Sequence, residues 1–398
     1  MKKVMVLGAS YLQNWIIDAV HDEGYYAIAL DGNKECESIC RADAFYHMDF
    51  SNKDMALELA RKEKIDGVLT YASDTAALTA SYIAERMGLA GNPYNSVEIL
   101  TDKAKTREYL RSNGFNVPES FFTCSIEEAE RIAKKLTYPV IVKPADACGS
   151  RGLSKINEIG EIKETFYHAL SFSKKKKVVI EEFIVREGYQ LEAEVFVSEG
   201  KITYFEPMFQ HQDCLAPFSP IGNSMPIEMD ESKKSLVRNE LQRLFHSLDI
   251  KFGIFNVEFI FDQNDNLFFL EIAPRAGGNL ISEMNYYSSG VMLRRNLVEA
   301  TMGKPITLPK QKKNDYTSCL LIHSNKGGVY KDVRITDDFP GEILFRDMFV
   351  KNGDRIHEFT NGEYGVGLSI MRFDNRESML AVMNNSTKYF KIELEGQY

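Results

Sequence analysis

The sequence lacks the cysteine spacing of structural metal sites and of disulfide frameworks. Its six cysteines, at positions 36, 40, 124, 148, 214 and 319, form no CxxC pair and no Cys/His spacing of the zinc type. It also lacks an uninterrupted apolar run of about 20 residues, which a membrane-spanning helix requires. The apolar run from Val4 ends at Gly8 and is too short for a signal peptide. We therefore expect reduced thiols, a cytoplasmic location and no membrane contact.

The sequence also lacks an excess of positive charge. Lys and Arg total 48 against 57 Asp and Glu, which gives a formal net charge of −9, whereas nucleic-acid-binding domains usually carry a basic surface. We therefore expect no nucleic-acid partner. Hydrophobic residues make up 44% of the 398 residues, which is enough to bury a core. A chain of this length is expected to form two or three domains.

The first 95 residues or so alternate short apolar strands with helical stretches. Strands are predicted at 3–7, 26–30 and 66–70, with helices between and after them. This alternation predicts a parallel sheet of the Rossmann-like kind, covered on both faces. A dinucleotide site is an alternative, because Gly8-Ala9-Ser10 follows one strand and Asp31 the next. However, the GxGxxG pattern is incomplete.

The segment from Phe255 to Ile272 predicts a β-hairpin. Two apolar runs, 255–261 and 267–272, flank the turn-forming stretch Asp262-Gln263-Asn264-Asp265-Asn266. With Asn264 and Asp265 as the central turn residues, Phe261 pairs with Phe268, and Glu258 pairs with Glu271. Alternation then gives a core face of Val257, Phe259, Phe261, Phe268, Leu270 and Ile272. The other face would carry Asn256, Glu258, Ile260, Phe269 and Glu271.

The two glutamates of this hairpin predict a metal site. Directly opposed carboxylates repel each other, and a bound cation removes the conflict. Mg²⁺ prefers carboxylate oxygens and bridges to substrate phosphates. The stretch Ala273-Pro274-Arg275-Ala276-Gly277-Gly278-Asn279 follows, so a permanently charged guanidinium lies beside the carboxylates. For a hairpin taken alone, two solvent-facing glutamates are the alternative.

Two further segments have features of a nucleotide site. The strand 139–143 ends in Lys143, and the glycine-containing loop 145–152 follows it. Glycines let backbone N–H groups approach phosphate oxygens, although the loop is not a Walker A loop. The strand at 178–184 ends in Glu181-Glu182-Phe183-Ile184, whose backbone can offer a donor and an acceptor to an adenine edge. The alternative is an ordinary strand end with solvated glutamates.

In this order, the motifs resemble the ATP-grasp superfamily over essentially the whole chain. The resemblance is carried by Asp102-Lys103 at a helix start, PVIVKPADACGSRG (139–152), VVIEEFI (178–184) and NVEFIFDQNDNLFFLEIAPRAGGN (256–279). It implies a fold of α/β and α+β class with three domains. These are a Rossmann-like pre-ATP-grasp domain (1–95), an ATP-grasp domain (96–310, lid about 115–185) and a biotin-carboxylase-like mixed C-terminal domain (311–398).

The resemblance also implies a role for each matching residue. The phosphates of ATP would be held by Lys103 and Lys143. The lid over them would comprise Gly149, Ser150, Arg151 and Gly152. The adenosine contacts would be Glu181, Glu182, Phe183, Ile184 and, for the ribose, Gln190. The ligands of Mg²⁺, or of Mn²⁺ as a substitute, would be Glu258, Glu271 and Asn279, since Ala273 replaces the usual Asn. The catalytic pair would be Arg275 and Lys143, and the substrate contacts would be His211, Arg275, Gly277 and Gly278.

The reaction implied is ADP-forming ligation of a carboxylate to an amine through an acyl phosphate. The resemblance extends to L-amino acid ligases, in which the segment His211 to Pro226 would be a substrate-lining loop. The expected partners are small-molecule carboxylates and amines, and the resemblance suggests a homodimer. A bicarbonate-activating carboxylase and a catalytically silent ATP-binding subunit are the alternatives.

Overall fold

The computed structural model describes residues 1–146, 151–214, 216–306, 308 and 315–395. Its first sheet comprises β1 (Lys3–Leu7), β2 (Tyr26–Asp31), β3 (Ala44–His47) and β4 (Gly67–Thr70). All pairings are parallel, in the order β3-β2-β1-β4. Both faces of the sheet are covered by helices, namely α1 (Asn14–Asp22), α2 (Lys53–Glu63) and α3 (Asp74–Met87). Strand β1 therefore carries apolar side chains on both of its faces. The predicted parallel sheet is confirmed.

The second sheet is antiparallel and forms a small separate layer. After α4 (Tyr94–Thr101) and α5 (Lys103–Ser112) come β5 (Ser120–Thr123), α6 (Ile126–Ala133), β6 (Val140–Pro144), β7 (Ser154–Ile156), α7 (Ile162–Phe172) and β8 (Val178–Glu182). The strand order is β5-β8-β6-β7. The apolar faces of α6 and α7 pack on β6 and β8 in one core that includes Val140, Val142, Phe166 and Ile180. This layer carries Lys143 and the end of β8.

The largest sheet is built from the next part of the chain. Its first strands and helices are β9 (Gln190–Ser198), β10 (Lys201–Gln212), β11 (Pro220–Met225), α8 (Glu231–Ser247), β12 (Gly253–Phe261), β13 (Leu267–Ala273), α9 (Ile281–Ser289) and α10 (Leu293–Thr301). Helix α8 packs on one face of this sheet, where Leu241, Leu244 and Phe245 contact the core that contains Val257 and Phe259. The opposite face turns toward the second sheet.

The C-terminal part extends this sheet and adds a third, smaller one. It contains β14 (Tyr316–Ile322), β15 (Gly328–Ile335), β16 (Gly341–Met348), β17 (Arg355–Ile356), β18 (Gly367–Phe373), α11 (Arg376–Asn384), α12 (Ser386–Tyr389) and β19 (Phe390–Leu394). Among the described residues the large sheet runs β13-β12-β9-β10-β11-β14-β18-β16, and the small one β17-β15-β19. Strands on either side of the predicted boundary at residue 310 therefore share one sheet. The domain limits stay a prediction.

The predicted fold of mixed α/β and α+β class is confirmed, and the structure adds that the described sheets after the first one are antiparallel. In the described part of the chain, no helix combines the length and apolar character needed to cross a membrane. The Asp31 carboxylate at the end of β2 accepts from the Ala9 N–H (2.8 Å) and the Asn33 N–H (2.8 Å). It is thus engaged by the protein's own amides, which disfavours the dinucleotide alternative.

Candidate active site

A cavity of about 370 Å³ lies between the second sheet and the large sheet. Lys143 and Glu181 line it from the small layer, and Glu258 and Glu271 line it from the hairpin β12–β13. Three segments that are separate in sequence, namely β6, β8 and the hairpin β12–β13, therefore meet in one space. Of the predicted site residues, the cavity is lined by Lys103, Lys143, Arg151, Glu181, Glu182, Phe183, Ile184, Gln190, Glu258, Glu271, Arg275, Gly278 and Asn279.

The hairpin places Glu258 opposite Glu271, as predicted, but through a different register. The loop has three residues instead of two. The Asp262 N–H donates to the Asn266 carbonyl, and Asp265 adopts a left-handed backbone conformation (φ 61°). Phe261 consequently pairs with Leu267 and not with Phe268, so this predicted pair is wrong. A β-bulge between Glu258 and Phe259 then restores the facing of the two glutamates.

The shifted register between the loop and the bulge also changes which hairpin residues are in the core. Leu267 and Phe269 pack in the core beside Phe259, whereas Leu270 lines the cavity with Ile260. The core placement predicted for Phe268 and Leu270, and the polar-face placement of Phe269, are therefore wrong. The physical reason is that a one-residue shift turns every side chain to the other face of a strand.

The two glutamates leave an excess of negative charge in the cavity wall. Burial, followed by the carboxylates of Glu271 and Glu192, raises the pKa of Glu258 to about 8. Lys103 Nζ lies 3.5 Å from Glu271 Oε2, and Gln190 Nε2 donates to Glu258 Oε2 at 2.8 Å. A raised pKa at a carboxylate pair is the electrostatic condition that a divalent cation relieves.

These residues fit a cation that takes its remaining ligands from a substrate. Among the described residues, no group of three or more His, Cys, Asp or Glu side chains could hold a metal by itself. Mg²⁺ typically uses one or two carboxylates together with phosphate oxygens. Glu258 and Glu271 are such a pair. Asn279, with φ 51°, lines the same cavity.

Lys143 is held by a buried ion-pair network from the small layer. Its Nζ donates to Glu181 Oε1, and Glu181 Oε2 accepts from Ser120 Oγ (3.0 Å) and lies 3.5 Å from Arg107 Nε. Burial alone raises the pKa of Glu181, but the Lys143 and Arg107 charges outweigh it and lower the pKa to about 2. Glu181, predicted as an adenosine contact, therefore also positions Lys143, which is predicted to bind phosphate.

The cavity continues into an apolar slot. It is lined by Ile141, Phe183, Ile184, Ile260 and Leu270. The N–H groups of Glu182 and Phe183 donate to the carbonyls of Glu119 and Pro139, so they are already used. In the described part of the chain, the Ile184 N–H has no protein acceptor. An apolar slot with a free backbone donor suits a planar heterocycle.

Arg275 lies where the large sheet meets the parallel sheet. Its Nε donates to Asp74 Oδ1 (2.9 Å) and Nη2 to Asp74 Oδ2 (3.3 Å), and Asp74 is the first residue of α3. Nη1 reaches Asn256 Oδ1 at 3.5 Å. Sequence reasoning missed Asp74, because nothing in the sequence links α3 to a residue two hundred positions later.

The glycines after Arg275 differ in their environments. The Gly277 N–H donates to Glu194 Oε1 at 2.5 Å, and a Cβ there would lie 2.8 Å from Asn256, Glu194 and Ile281 atoms. Gly277 is thus required for close packing behind the site, whereas Gly278 lines the cavity. Burial raises the pKa of Glu194 to about 8, against the hydrogen bonds from Gly277 and Ser282.

His211 does not lie in a loop, contrary to prediction. It is part of β10, is buried, and its Nε2 lies 2.8 Å from Ser224 Oγ on β11. Burial lowers the pKa of His211 to about 4, against a hydrogen bond with Asn384 that raises it. The described residues that line the cavity do not include it. Phe218, Pro220 and Asn223 of the same segment do line it.

The predicted lid is described in part. Gly149 and Ser150 lie outside the described residues. Arg151 Nη1 lies 2.6 Å from Glu363 Oε1 in the C-terminal part. Gly152 has φ +71°, and a Cβ there would lie 2.7 Å from Phe172, so glycine is required at this position.

Several lining residues were not predicted, although a signal for some existed. Strand β9 carries Gln190, which was predicted, and Glu192, which was not, two positions apart, and polar residues at alternate positions of an apolar strand indicate a polar wall. The amides of Gln210, Asn223 and Asn256 complete that wall from neighbouring strands. Their grouping depends on sheet order, which the sequence does not display.

The chain resembles known proteins in sequence and in fold. Residues 100–279 match the ATP-grasp domain family. The carbamoyl phosphate synthase large chain of Thermoanaerobacter sp. (strain X514) is 26% identical over 296 residues, which cover 72% of this chain and 27% of that protein. The chain thus spans about a quarter of the length of this curated relative.

Solved structures are similar over the full length. L-amino acid ligase from Bacillus licheniformis superposes with a TM-score of 0.83 at 17% identity, covering 100% of this chain and 99% of that one. Phosphoribosylglycinamide synthetase from Anaerococcus prevotii has a TM-score of 0.77 at 21% identity, covering 99% and 100%. These identities establish the fold alone. The predicted resemblance is confirmed, since residues 100–279 of this chain match the ATP-grasp domain family.

Proposed function

We propose that the protein is an ADP-forming ligase that activates a carboxylate with ATP and joins it to an amine. The observation that carries this proposal is the meeting of an opposed carboxylate pair, Glu258 and Glu271, with Lys103, Lys143 and Arg275 in one cavity. Phosphoryl transfer needs positioned positive charge more than covalent help from the protein. The cavity provides that charge next to an apolar slot for the adenine.

Each group of residues has a place in this scheme. Lys103 and Lys143 bind phosphate oxygens of ATP, and the Ile184 N–H donates to the adenine edge. Glu258 and Glu271, with Asn279, would hold Mg²⁺, for which Mn²⁺ is a substitute. When bound, the metal would offset the negative charge of the carboxylates and phosphates. Gln190 is the candidate ribose contact.

The reaction has two steps. A carboxylate oxygen of the first substrate attacks the γ-phosphorus, the bond to the β,γ-bridging oxygen breaks, and ADP leaves. The neutral amine of the second substrate then attacks the acyl carbon, and phosphate departs with the C–O bond electrons and takes up the proton lost by nitrogen. Arg275 donates to the oxyanion that forms at the acyl carbon. Closure of the lid excludes water from the acyl phosphate.

We infer amino-acid-like substrates, supported by the full-length similarity to L-amino acid ligase. Activation of bicarbonate is the second candidate, because the fold also matches the biotin carboxylase domain of Hydrogenobacter thermophilus 2-oxoglutarate carboxylase, solved with bicarbonate as a dimer. That similarity has a TM-score of 0.75 at 16% identity. It also supports the homodimer that we propose for this chain, and the net acidic charge and reduced thiols agree with a cytoplasmic location.

The test is ADP release from ATP and Mg²⁺ with the twenty L-amino acids, singly and in pairs, and with bicarbonate in a separate arm. We expect release that needs amino acids, and we expect Lys143→Ala and Glu271→Ala to reduce it to background. Lys135→Ala and Glu130→Ala, at exposed positions in or just after α6, are the matched controls. Release with bicarbonate alone would support the second candidate. Wild-type turnover by either cavity variant would contradict the site assignment.

A further inference from the structure

Four adjacent strands of the large sheet place polar side chains on one wall of the cavity. In sheet order they are β12 with Asn256, β9 with Glu192, β10 with Gln210 and β11 with Asn223. Each side chain lines the cavity, although each residue as a whole is at most 5% exposed. The wall is therefore a built feature of the interior and not a chance grouping of surface residues.

Hydrogen bonding gives this wall a defined polarity. Glu192 accepts from Asn256 Nδ2 (2.6 Å), Asn223 Nδ2 (2.5 Å) and Gln210 Nε2 (3.0 Å). A carboxylate can only accept, so the three amides must present their nitrogens to it. The three amide oxygens are then the polar atoms that Glu192 does not use. Glu192 thus converts three amides that could donate or accept into a wall that mainly accepts.

The remaining oxygens are occupied to different degrees. Gln210 Oε1 accepts from Gln212 Nε2 at 3.2 Å, and Asn256 Oδ1 is 3.5 Å from Arg275 Nη1. In the described part of the chain, Asn223 Oδ1 has no hydrogen-bond donor. A carbonyl oxygen has two lone pairs, so all three can accept from a ligand, and Asn223 is the most available.

We propose that this acceptor wall binds the amino group of the amine substrate, with Asn223 as its main contact. The inference rests on the proposed ligase function, and it adds the part of the cavity in which the nucleophilic amine binds. The wall carries the Glu192 charge and offers acceptors, so it attracts an ammonium or amine and repels a carboxylate. Arg275 borders the wall through Asn256, which places the acyl carbon and its oxyanion next to the nucleophile.

The experiment separates amine binding from carboxylate activation. The acyl donors are the twenty free L-amino acids, and the amines are the twenty L-amino acid amides, which cannot themselves be activated. Hydroxylamine at high concentration traps the acyl phosphate as a hydroxamate without needing the amine site. Asn223→Leu removes the amide at nearly constant volume, and Ser224→Ala, on the opposite face of β11, is the control.

We expect Asn223→Leu to raise the KM for the amine roughly tenfold or more, as for a lost hydrogen bond to a charged group. Hydroxamate formation and the KM values for ATP and the acyl donor should stay within about twofold of wild type. Gln210→Met should raise the amine KM less, because its oxygen is already shared with Gln212. This second variant also tests the proposal if Asn223→Leu fails to fold, which a thermal melt would reveal.

Other outcomes overturn the inference. An unchanged KM for the amine in both variants would show that the wall does not bind the amine. A raised KM for the acyl donor, or loss of hydroxamate in a folded variant, would place the wall in carboxylate activation. Failure of the proposed function is distinguishable, because wild-type protein would then give neither hydroxamate nor ADP with any amino acid.

Discussion

Replacing Asp74 with Asn tests whether the parallel sheet positions the arginine of the site. Asp74 starts α3, and its carboxylate holds the Arg275 guanidinium by two hydrogen bonds, at 2.9 and 3.3 Å. Asn has the same shape and can still accept one of them. The change therefore removes the negative charge and one acceptor while it leaves the packing of α3 in place.

The magnitude follows from the burial of this pair. The side chains of Arg275 and Asp74 are 13% and 21% exposed, so solvent screens the pair less than it screens a surface ion pair. A hydrogen bond to a charged group contributes about 1.5–3 kcal/mol. If Asp74 orients Arg275 for the oxyanion, the loss should appear in kcat. A cost of about 1.5 kcal/mol corresponds to a fall of roughly tenfold.

The assay is ADP release with the amino acids that the wild-type protein accepts, together with a thermal melt. We expect kcat to fall while the KM for ATP stays near wild type, because the proposal assigns the phosphates to Lys103 and Lys143 and not to Arg275. Glu85→Gln, at an exposed position of the same helix, is the control. A folded Asp74→Asn variant with wild-type kcat would refute the positioning role, and a loss confined to Tm would make the pair purely structural.

Three further predictions concern buried charge and the metal. The raised pKa of Glu194, about 8, means that its contribution to stability is present below its unfolded pKa of about 4.5 and is lost as pH rises through 8. The free energy of unfolding of Glu194→Gln should therefore rise relative to that of wild type from pH 5 to pH 9, by on the order of 4 kcal/mol at most. Urea unfolding at both pH values measures this, and a constant difference would contradict it. The lowered pKa of Glu181, about 2, has the opposite sign: its contribution of about 3 kcal/mol is present above pH 4.5 and is lost as pH falls toward 2. The difference in free energy of unfolding between wild type and Glu181→Gln, measured by urea unfolding, should become smaller as pH falls from 4.5 toward 2. Chelation of Mg²⁺ with EDTA should abolish ADP release, and excess Mg²⁺ should restore it. Full activity in EDTA would show that the reaction does not need the metal.

The hairpin illustrates how sequence reasoning can reach a correct pair by an incorrect register. The two-residue turn was one residue too short, since the Asp262 carboxylate accepts from the N–H groups of Asn264 and Asn266 and stabilises a longer loop. The bulge next to Glu258 compensated for this difference. Loop length and bulges depend on competition between local hydrogen bonds and packing on the sheet, so alternation alone does not reveal them.

His211 illustrates the opposite situation. The resemblance to L-amino acid ligases implied that His211 lies in a loop, yet the strand β10 continues through it to Gln212. Pairing with β9 on one side and β11 on the other, together with Ser224, provides the hydrogen bonds that keep a histidine in the interior. A residue's own neighbours in sequence do not contain that information.

The sequence by itself determined the local patterns: the strand–helix alternation of the parallel sheet, the opposed Glu258 and Glu271, and the individual motifs within the stretch that matches the ATP-grasp domain family. These features depend on residues close together in the chain. The tertiary structure alone decided which distant groups meet: Asp74 with Arg275, Glu181 with Lys143, and Glu192 with the three amides. Sheet order and the packing of layers set those distances, and the polarity of a buried amide is fixed only by the partner that the fold places beside it.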